Sequence, residues 1–251
     1  MKLKSKAAVW LQAITLALGF GVGSQVAQAT EAVDLELVLL ADASRSIDDA
    51  EILFQREGYV AAITHPDVLT AIANGFLQRI AVTYVEWGDA AWQDVVVPWT
   101  IIDGKASAGD FASKLLAAPR KATGPNSIGS ALAAAHALLE GNEIEGTRRV
   151  IDFSGDSAYT QGGLPVPQAR AEVLAAGITI NGLAILCRQA DCSGRPVGYD
   201  LESAFAQFIV GGPGHFVVTA DDRQSFAEAV QRKLLLEIAG LPGAVEAAAR
   251  P

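Results

Sequence analysis

The sequence predicts one doubly wound α/β domain, with a mostly parallel central sheet, helices on both faces and one antiparallel edge strand. Three observations predict it. Strand-like and helix-like segments alternate through the chain with no internal repeat or low-complexity linker, the pattern of a sheet crossed by helices. A continuous apolar run, Leu37-Val38-Leu39-Leu40-Ala41, reads as a buried strand that delivers Asp42-Ala43-Ser44-Arg45-Ser46 into a turn before a helix. Two β-rich segments, Arg79 to Trp87 and Asp94 to Ile102, are separated only by a short turn and so suit an antiparallel hairpin.

Each element follows from local pattern. Leu35 to Asp42 is the first strand. Asp49 to Thr64 is a helix capped by Ser46 or Asp48 and stopped at His65-Pro66. A short helix follows over Asp67 to Asn74. Arg79 to Trp87 and Asp94 to Ile102 are strands, and Pro98 places the second at an edge, where a missing N–H is tolerated. Helices are predicted over Ala108 to Ala117 and Ser127 to Leu139. Arg149 to Ser154 is a central strand, Pro167 to Ala176 a helix closed by Gly177, and Ile178 to Leu186 a further strand. Leu201 to Phe208 is a helix, His215 to Thr219 the last strand, and Asp222 to Ala239 the closing helix with Gly240 as its stop.

Before this domain lies a processing signal. Lys2, Lys4 and Lys6 precede an apolar stretch from Ala7 to Phe20, and Ala27-Gln28-Ala29 is a small-x-small cleavage site. The expected organisation is a signal peptide over 1–29, the domain over 30–240 and a flexible tail over 241–251. The apolar stretch is shorter than the roughly 20 residues a membrane span needs, so no stable membrane insertion is expected after cleavage, and the destination is periplasmic or secreted. The chain carries a net charge of −9, and loss of the three N-terminal lysines makes it −12. Such a balance disfavours nucleic acid, whose phosphates call for Lys and Arg. Cys187 and Cys192 are expected to form a local disulfide in an oxidising compartment, since two thiols without a neighbouring His are too few for structural zinc.

The chemistry lies in three segments: Asp42-x-Ser44-x-Ser46, Thr123-Gly124-Pro125-Asn126-Ser127-Ile128-Gly129 and Phe153-Ser154-Gly155-Asp156-Ser157. In an extended segment, residues i, i+2 and i+4 point the same way, so Asp42, Ser44 and Ser46 are expected to converge. Asp42 and Asp156 both follow predicted strands, where open α/β sheets bind ligands. Carboxylates, hydroxyls and one amide oxygen are hard donors suited to Mg²⁺, which takes about six oxygens. Singly, Ser44 and Ser46 read as helix caps and Asp156 as a turn residue; together they read as a cation site. Asp152, inside its strand, reads as a structural hydrogen-bonding residue. Trp87, Trp92 and Trp99 on the hairpin read as core or edge packing.

The order of these motifs resembles the metal-ion-dependent adhesion site of von Willebrand factor A domains and integrin inserted domains, over roughly Val33 to Ala239. RIAVTYVEW, VVVPWT, RRVIDFSGD, INGLAIL and GGPGHFVV are similar to the secreted bacterial branch of that superfamily described as a domain of unknown function. The resemblance implies that Ser44, Ser46 and Asn126 contact Mg²⁺ directly, with Mn²⁺ or Ca²⁺ as substitutes. Asp42 and Asp156 would hold it through waters, and an Asp or Glu of a partner protein would complete the shell. Asn126 stands where the family's Gly-Gly-Thr places Thr, leaving Thr123 and Ser127 as alternative ligands. The implied protein is an exported binding module and not an enzyme. Two other readings stay open: a metal-free scaffold in which Asn126 bonds to the two serines, and a serine hydrolase using Ser157, which would require a neighbouring His.

Overall fold

The computed structural model describes residues 30–186 and 198–240. Cleavage after Ala29, the Cys187–Cys192 disulfide and the tail over 241–251 lie outside the described residues. In chain order the elements are β1 (Glu31–Val33), β2 (Leu35–Asp42), α1 (Asp49–Ile63), α2 (Pro66–Ala73), β3 (Ile80–Trp87), β4 (Gln93–Ile102), α3 (Lys105–Ala117) and α4 (Ile128–Glu140). They continue with β5 (Ile144–Gly146), β6 (Arg149–Gly155), α5 (Val166–Ala175), β7 (Thr179–Ile185), α6 (Leu201–Phe208), β8 (Val217–Ala220) and α7 (Arg223–Ala239).

The main sheet runs β4-β3-β2-β6-β7-β8. Within it β3 and β4 are antiparallel and the other pairs are parallel. Alternation along β2 divides the core between the two faces. Leu35, Leu37 and Leu39 pack with Tyr59 of α1, Phe111 of α3 and Phe226 of α7. Val38 and Leu40 face the other way, with Leu132 of α4, Val173 of α5 and Phe205 of α6. The strand order reverses between β2 and β6, so the carboxyl ends of these two neighbours flank the switch point.

Local chemistry explains the boundaries. Asp48, not Ser46, caps α1: its Oδ1 accepts from Glu51 N–H at 2.9 Å, and Glu51 Oε2 accepts from Asp48 N–H at 3.0 Å. Pro98 lies on the edge strand β4, beside a register shift where Thr83 Oγ1 donates to Val97 O at 2.8 Å. The short parallel pair β1–β5 escapes the sequence pattern because three residues carry no periodicity. A buried carboxylate helps to hold it: Glu36 Oε1 accepts from Gly146 N–H at 2.7 Å and Oε2 from Asn142 Nδ2 at 2.8 Å.

Charges are also buried between the sheet and the α1/α7 layer. Arg56 of α1 clasps Glu86 of β3 through two bonds, Nε to Oε1 at 2.7 Å and Nη2 to Oε2 at 3.0 Å, and also donates to Ala118 O. Asp152 does have a structural role, but as an ion pair: Lys233 Nζ lies 2.7 Å from Asp152 Oδ1 and 2.7 Å from Glu237 Oε1. Removing one member of such a pair strands the other without counter-charge. Arg56→Ala is therefore expected to lower the unfolding free energy by about 3–5 kcal/mol, read from urea midpoints. A loss too small to resolve would show that Glu86 does not depend on this guanidinium.

Candidate metal centre

β2 ends at Asp42, and the chain leaves it in a turn rather than as an extended strand. Strand alternation therefore does not align the two serines with Asp42; the turn does. Ser44 N–H donates to Asp42 Oδ1 at 2.8 Å, Ile47 N–H donates to Ser44 O at 3.0 Å, and the Ser44 and Ser46 hydroxyls meet at 3.2 Å. Bonds from distant segments pin the turn, among them Arg120 Nη2 to Ala43 O at 3.1 Å and to Ile47 O at 2.8 Å. Ala43 N–H donates to Trp87 O at 2.9 Å, Arg45 N–H to Gly124 O at 2.7 Å, and Gln55 Nε2 to Asp42 O at 3.2 Å.

Asp156 follows β6 and faces Asp42 across the β2–β6 boundary. Both carboxylates keep a buried oxygen with no hydrogen-bond partner, Asp42 Oδ2 and Asp156 Oδ1. Burial pushes the fully buried Asp42 up to about 8, with the Asp156 charge adding to the rise. Asp156 is raised as well, first by burial; the Ser46 hydroxyl opposes the rise and the Glu51 carboxylate adds to it. Two acids with orphaned oxygens beside two hydroxyls form a hard, electron-rich donor set short of positive charge. Among the described residues no group of three or more His, Cys, Asp or Glu forms a metal cluster, so any cation here rests on two carboxylates plus neutral oxygens.

The middle segment frames this set. Gly124 holds φ at +107°, and a Cβ there would fall 2.6 Å from Asp89 Cβ. Thr123 is exposed, and its carbonyl accepts from Asp89 N–H at 3.1 Å. Ser127 is buried, donating from Oγ to Gly162 O at 3.1 Å and meeting Ser130 Oγ at 3.1 Å, so it is committed to the 160–164 loop. Asn126 Nδ2 donates to Tyr159 O at 3.4 Å. The bridge from Asn126 to the two serines that the metal-free reading called for is not formed: the serines bond each other, and Asn126 Nδ2 bonds the loop after Asp156. That bond leaves Asn126 Oδ1 as the acceptor end of the side chain.

Several contributors escaped sequence reasoning. A Cβ on Gly155 would sit 3.3 Å from Asp42 Oδ2, so this glycine keeps space open against the carboxylate. Gln55 and Trp87 hold the backbone of the turn from elements distant in sequence. No local signal marks such contacts. Ser157 Oγ accepts from Tyr159 N–H at 3.1 Å. His215 precedes β8 at the opposite end of the sheet, where its ring Nδ1 meets Gly212 O at 2.8 Å, so it is not the neighbour a Ser157 nucleophile would need.

This sheet order is that of a von Willebrand A-like fold. Among solved structures, the fold is similar to proximal thread matrix protein 1 from the mussel byssus in a form with a zinc-occupied MIDAS motif (TM-score 0.60, 17% identity, 83% of this chain and 48% of that one). It is also similar to the pilus adhesin SpaC from Lactobacillus rhamnosus GG in its open conformation (TM-score 0.56, 11% identity, 84% of this chain and 30% of that one). The chain thus spans about half the length of the mussel protein and under a third of the adhesin. No curated protein matches it in sequence. The chain belongs to the family described as Protein of unknown function (DUF1194), whose model matches residues 32–242.

The raised carboxyls have a consequence for stability. Asp42 binds its proton more tightly folded, at about 8, than at its ordinary value of 3.8. Its contribution is therefore fully present below about pH 4 and lost as pH rises through about 8. Glu237, raised to about 7 chiefly by burial, acts in the same direction. In chelator, urea midpoints are expected to fall across that window, and Asp42→Asn is expected to flatten the fall. An unchanged slope in Asp42→Asn would mean that the carboxyl ionises freely in the folded protein.

Proposed function

We propose that the protein is an exported binding module that captures a protein partner through a divalent cation on the β2–β6 rim. The observation that carries this reading is the pair of orphaned buried oxygens, Asp42 Oδ2 and Asp156 Oδ1, beside the Ser44–Ser46 hydroxyls. Mg²⁺ suits this oxygen set, with Mn²⁺ or Ca²⁺ as substitutes. Ser44, Ser46 and Asn126 would supply neutral oxygens, and Asp42 and Asp156 the negative charge. With neutral oxygens in direct contact and the two carboxylates acting through waters, the cation would keep Lewis acidity toward an Asp or Glu of the partner. The zinc-occupied motif of the mussel protein supports metal use on this fold. The pilus adhesin supports a binding role. No catalysis is assigned: the chemistry of the rim is coordination, and Ser157 lacks an activating His.

Export rests on the basic and apolar N-terminus and its Ala27-Gln28-Ala29 site. Among the described residues no helix is long and apolar enough to cross a membrane. An oxidising destination would pair Cys187 with Cys192.

A bound ion raises the melting midpoint by mass action. Millimolar Mg²⁺ is expected to raise the midpoint of the wild-type protein, chelator to reverse the rise, and Asp42→Ala to remove the response. A metal-free rim gives coincident melts with Mg²⁺ and with chelator. Affinity capture from the exported fraction then tests the partner: its retention should require Mg²⁺ and Asp42. A partner retained equally in chelator and by Asp42→Ala would move the binding surface elsewhere.

A further inference from the structure

One arginine clasps the first two oxygen-bearing segments. Arg120 lies between α3 and the 123–129 segment, with its side chain 20% exposed. Its guanidinium meets four acceptors. Nη2 donates to Ala43 O at 3.1 Å and to Ile47 O at 2.8 Å, Nε to Ala122 O at 3.2 Å, and Nη1 to Asp49 Oδ1 at 2.8 Å. A guanidinium carries five N–H donors in a planar fork, so these bonds use all but one of them. Both Nη2 donors go to the carbonyls on either side of Ser44-Arg45-Ser46. The span between those carbonyls is thereby fixed around the two hydroxyls.

Ala43, Ile47 and Ala122 also pack their side chains with Ile52 in a small buried cluster. Carbonyls in such an irregular stretch have no ladder to accept from, and Arg120 supplies a donor to each of the three. Ala122 leads into Thr123 and Gly124, and Gly124 O accepts from Arg45 N–H at 2.7 Å. Arg120 thus ties the 43–47 turn to the segment that carries Asn126. The start of that connection is held as well, since Arg56 donates to Ala118 O. The Asp49 contact contributes least, because that carboxylate is 91% exposed and solvent screens the pair.

We propose that Arg120 is a positioning residue whose guanidinium sets the spacing between the Ser44 and Ser46 hydroxyls and Asn126, and with it the affinity of the rim for Mg²⁺. It acts through the backbone of Ala43, Ile47 and Ala122 and not as a ligand. The link to affinity rests on the cation reading of the rim, whereas the spacing is a property of the chain alone. Lysine keeps the charge but cannot reproduce the planar spread of the fork.

Amide hydrogen exchange in chelator tests the spacing without any metal. In Arg120→Met the amides of Ser44, Arg45 and Ile47, which donate to Asp42 Oδ1, Gly124 O and Ser44 O, are expected to exchange about tenfold faster than in wild type. The amides of Leu39 in β2 and Ile151 in β6 are expected to keep wild-type rates. Calorimetric titration with Mg²⁺ then reads affinity. Arg120→Met and Arg120→Lys are each expected to weaken binding about tenfold, and Asp49→Asn by less than about twofold. Arg120→Lys also guards against a Met variant that does not fold. Turn amides that keep wild-type protection in both Arg120 variants would overturn the proposal. So would equal acceleration at Leu39 and Ile151, the mark of a general stabiliser, or full Mg²⁺ affinity in Arg120→Lys, which would show that charge alone suffices. Wild-type protein that gives no heat with Mg²⁺ would sink the cation reading of the rim and the link to affinity with it; the exchange rates would still decide the spacing.

Discussion

Parallel pairing of β2 with β6 is the constraint on which the rest of the rim depends. The register runs from Glu36 opposite Arg149 to Leu40 opposite Phe153. It therefore delivers Asp42 and the β6 end at the same level of the sheet, where the strand order reverses. Side-chain alternation makes such registers nearly all-or-none, since a one-residue slip would turn Val38 and Leu40 onto the wrong face. Gly155 completes the arrangement by leaving room where a side chain would meet Asp42 Oδ2. Trp87 closes the site from below, stacked on Phe153 at 5.2 Å and donating from Nε1 to Ser154 O at 3.2 Å.

The sheet carries its ionised groups in two different ways. Between the sheet and the α1/α7 layer, charge is matched by charge: Arg56 with Glu86, and Lys233 with Asp152 and Glu237. These groups are buried deeply enough that desolvation must be offset by partners. At the β2–β6 rim Asp42 and Asp156 have backbone and hydroxyl neighbours, and among the described residues no cationic side chain forms an ion pair with either. That difference separates an interior in which each of these carboxylates has a cationic neighbour from a rim whose two carboxylates lie beside each other.

Much of this was legible locally. Leu37 to Ala41 had to be a buried strand, Pro98 marked the edge, and the β-rich pair around Gly88 read correctly as a hairpin. Helix ends followed from caps, although the cap of α1 proved to be Asp48, because only its spacing to Glu51 permits the reciprocal capping bonds. What was hidden depended on contacts between distant segments. The β1–β5 pair is supported by Glu36, a residue that reads as an ordinary polar member of a strand. Lys233 looks like a solvent-exposed helix lysine in sequence, yet it is fully buried because β6 places Asp152 beneath it. Asn126 was read as a ligand beside the serines, and what local pattern did not show is that its Nδ2 donates to Tyr159 O, which leaves Oδ1 as the acceptor end.

By itself, the sequence determined the alternation of strands and helices, the α/β class and the three oxygen-bearing segments at strand and helix ends. Those features are set by hydrophobic period and turn chemistry, which act over a few residues. Only the tertiary structure decided that the Asp42 and Asp156 carboxyls lie beside each other with unpartnered oxygens, that a turn rather than an extended strand gathers Ser44 and Ser46, and that Asn126 Nδ2 donates to Tyr159 O. It also decided that Lys233 is buried between Asp152 and Glu237. Each of these is a consequence of which strands are neighbours and of which charges are shielded from water, and neither property is carried by any short stretch of chain.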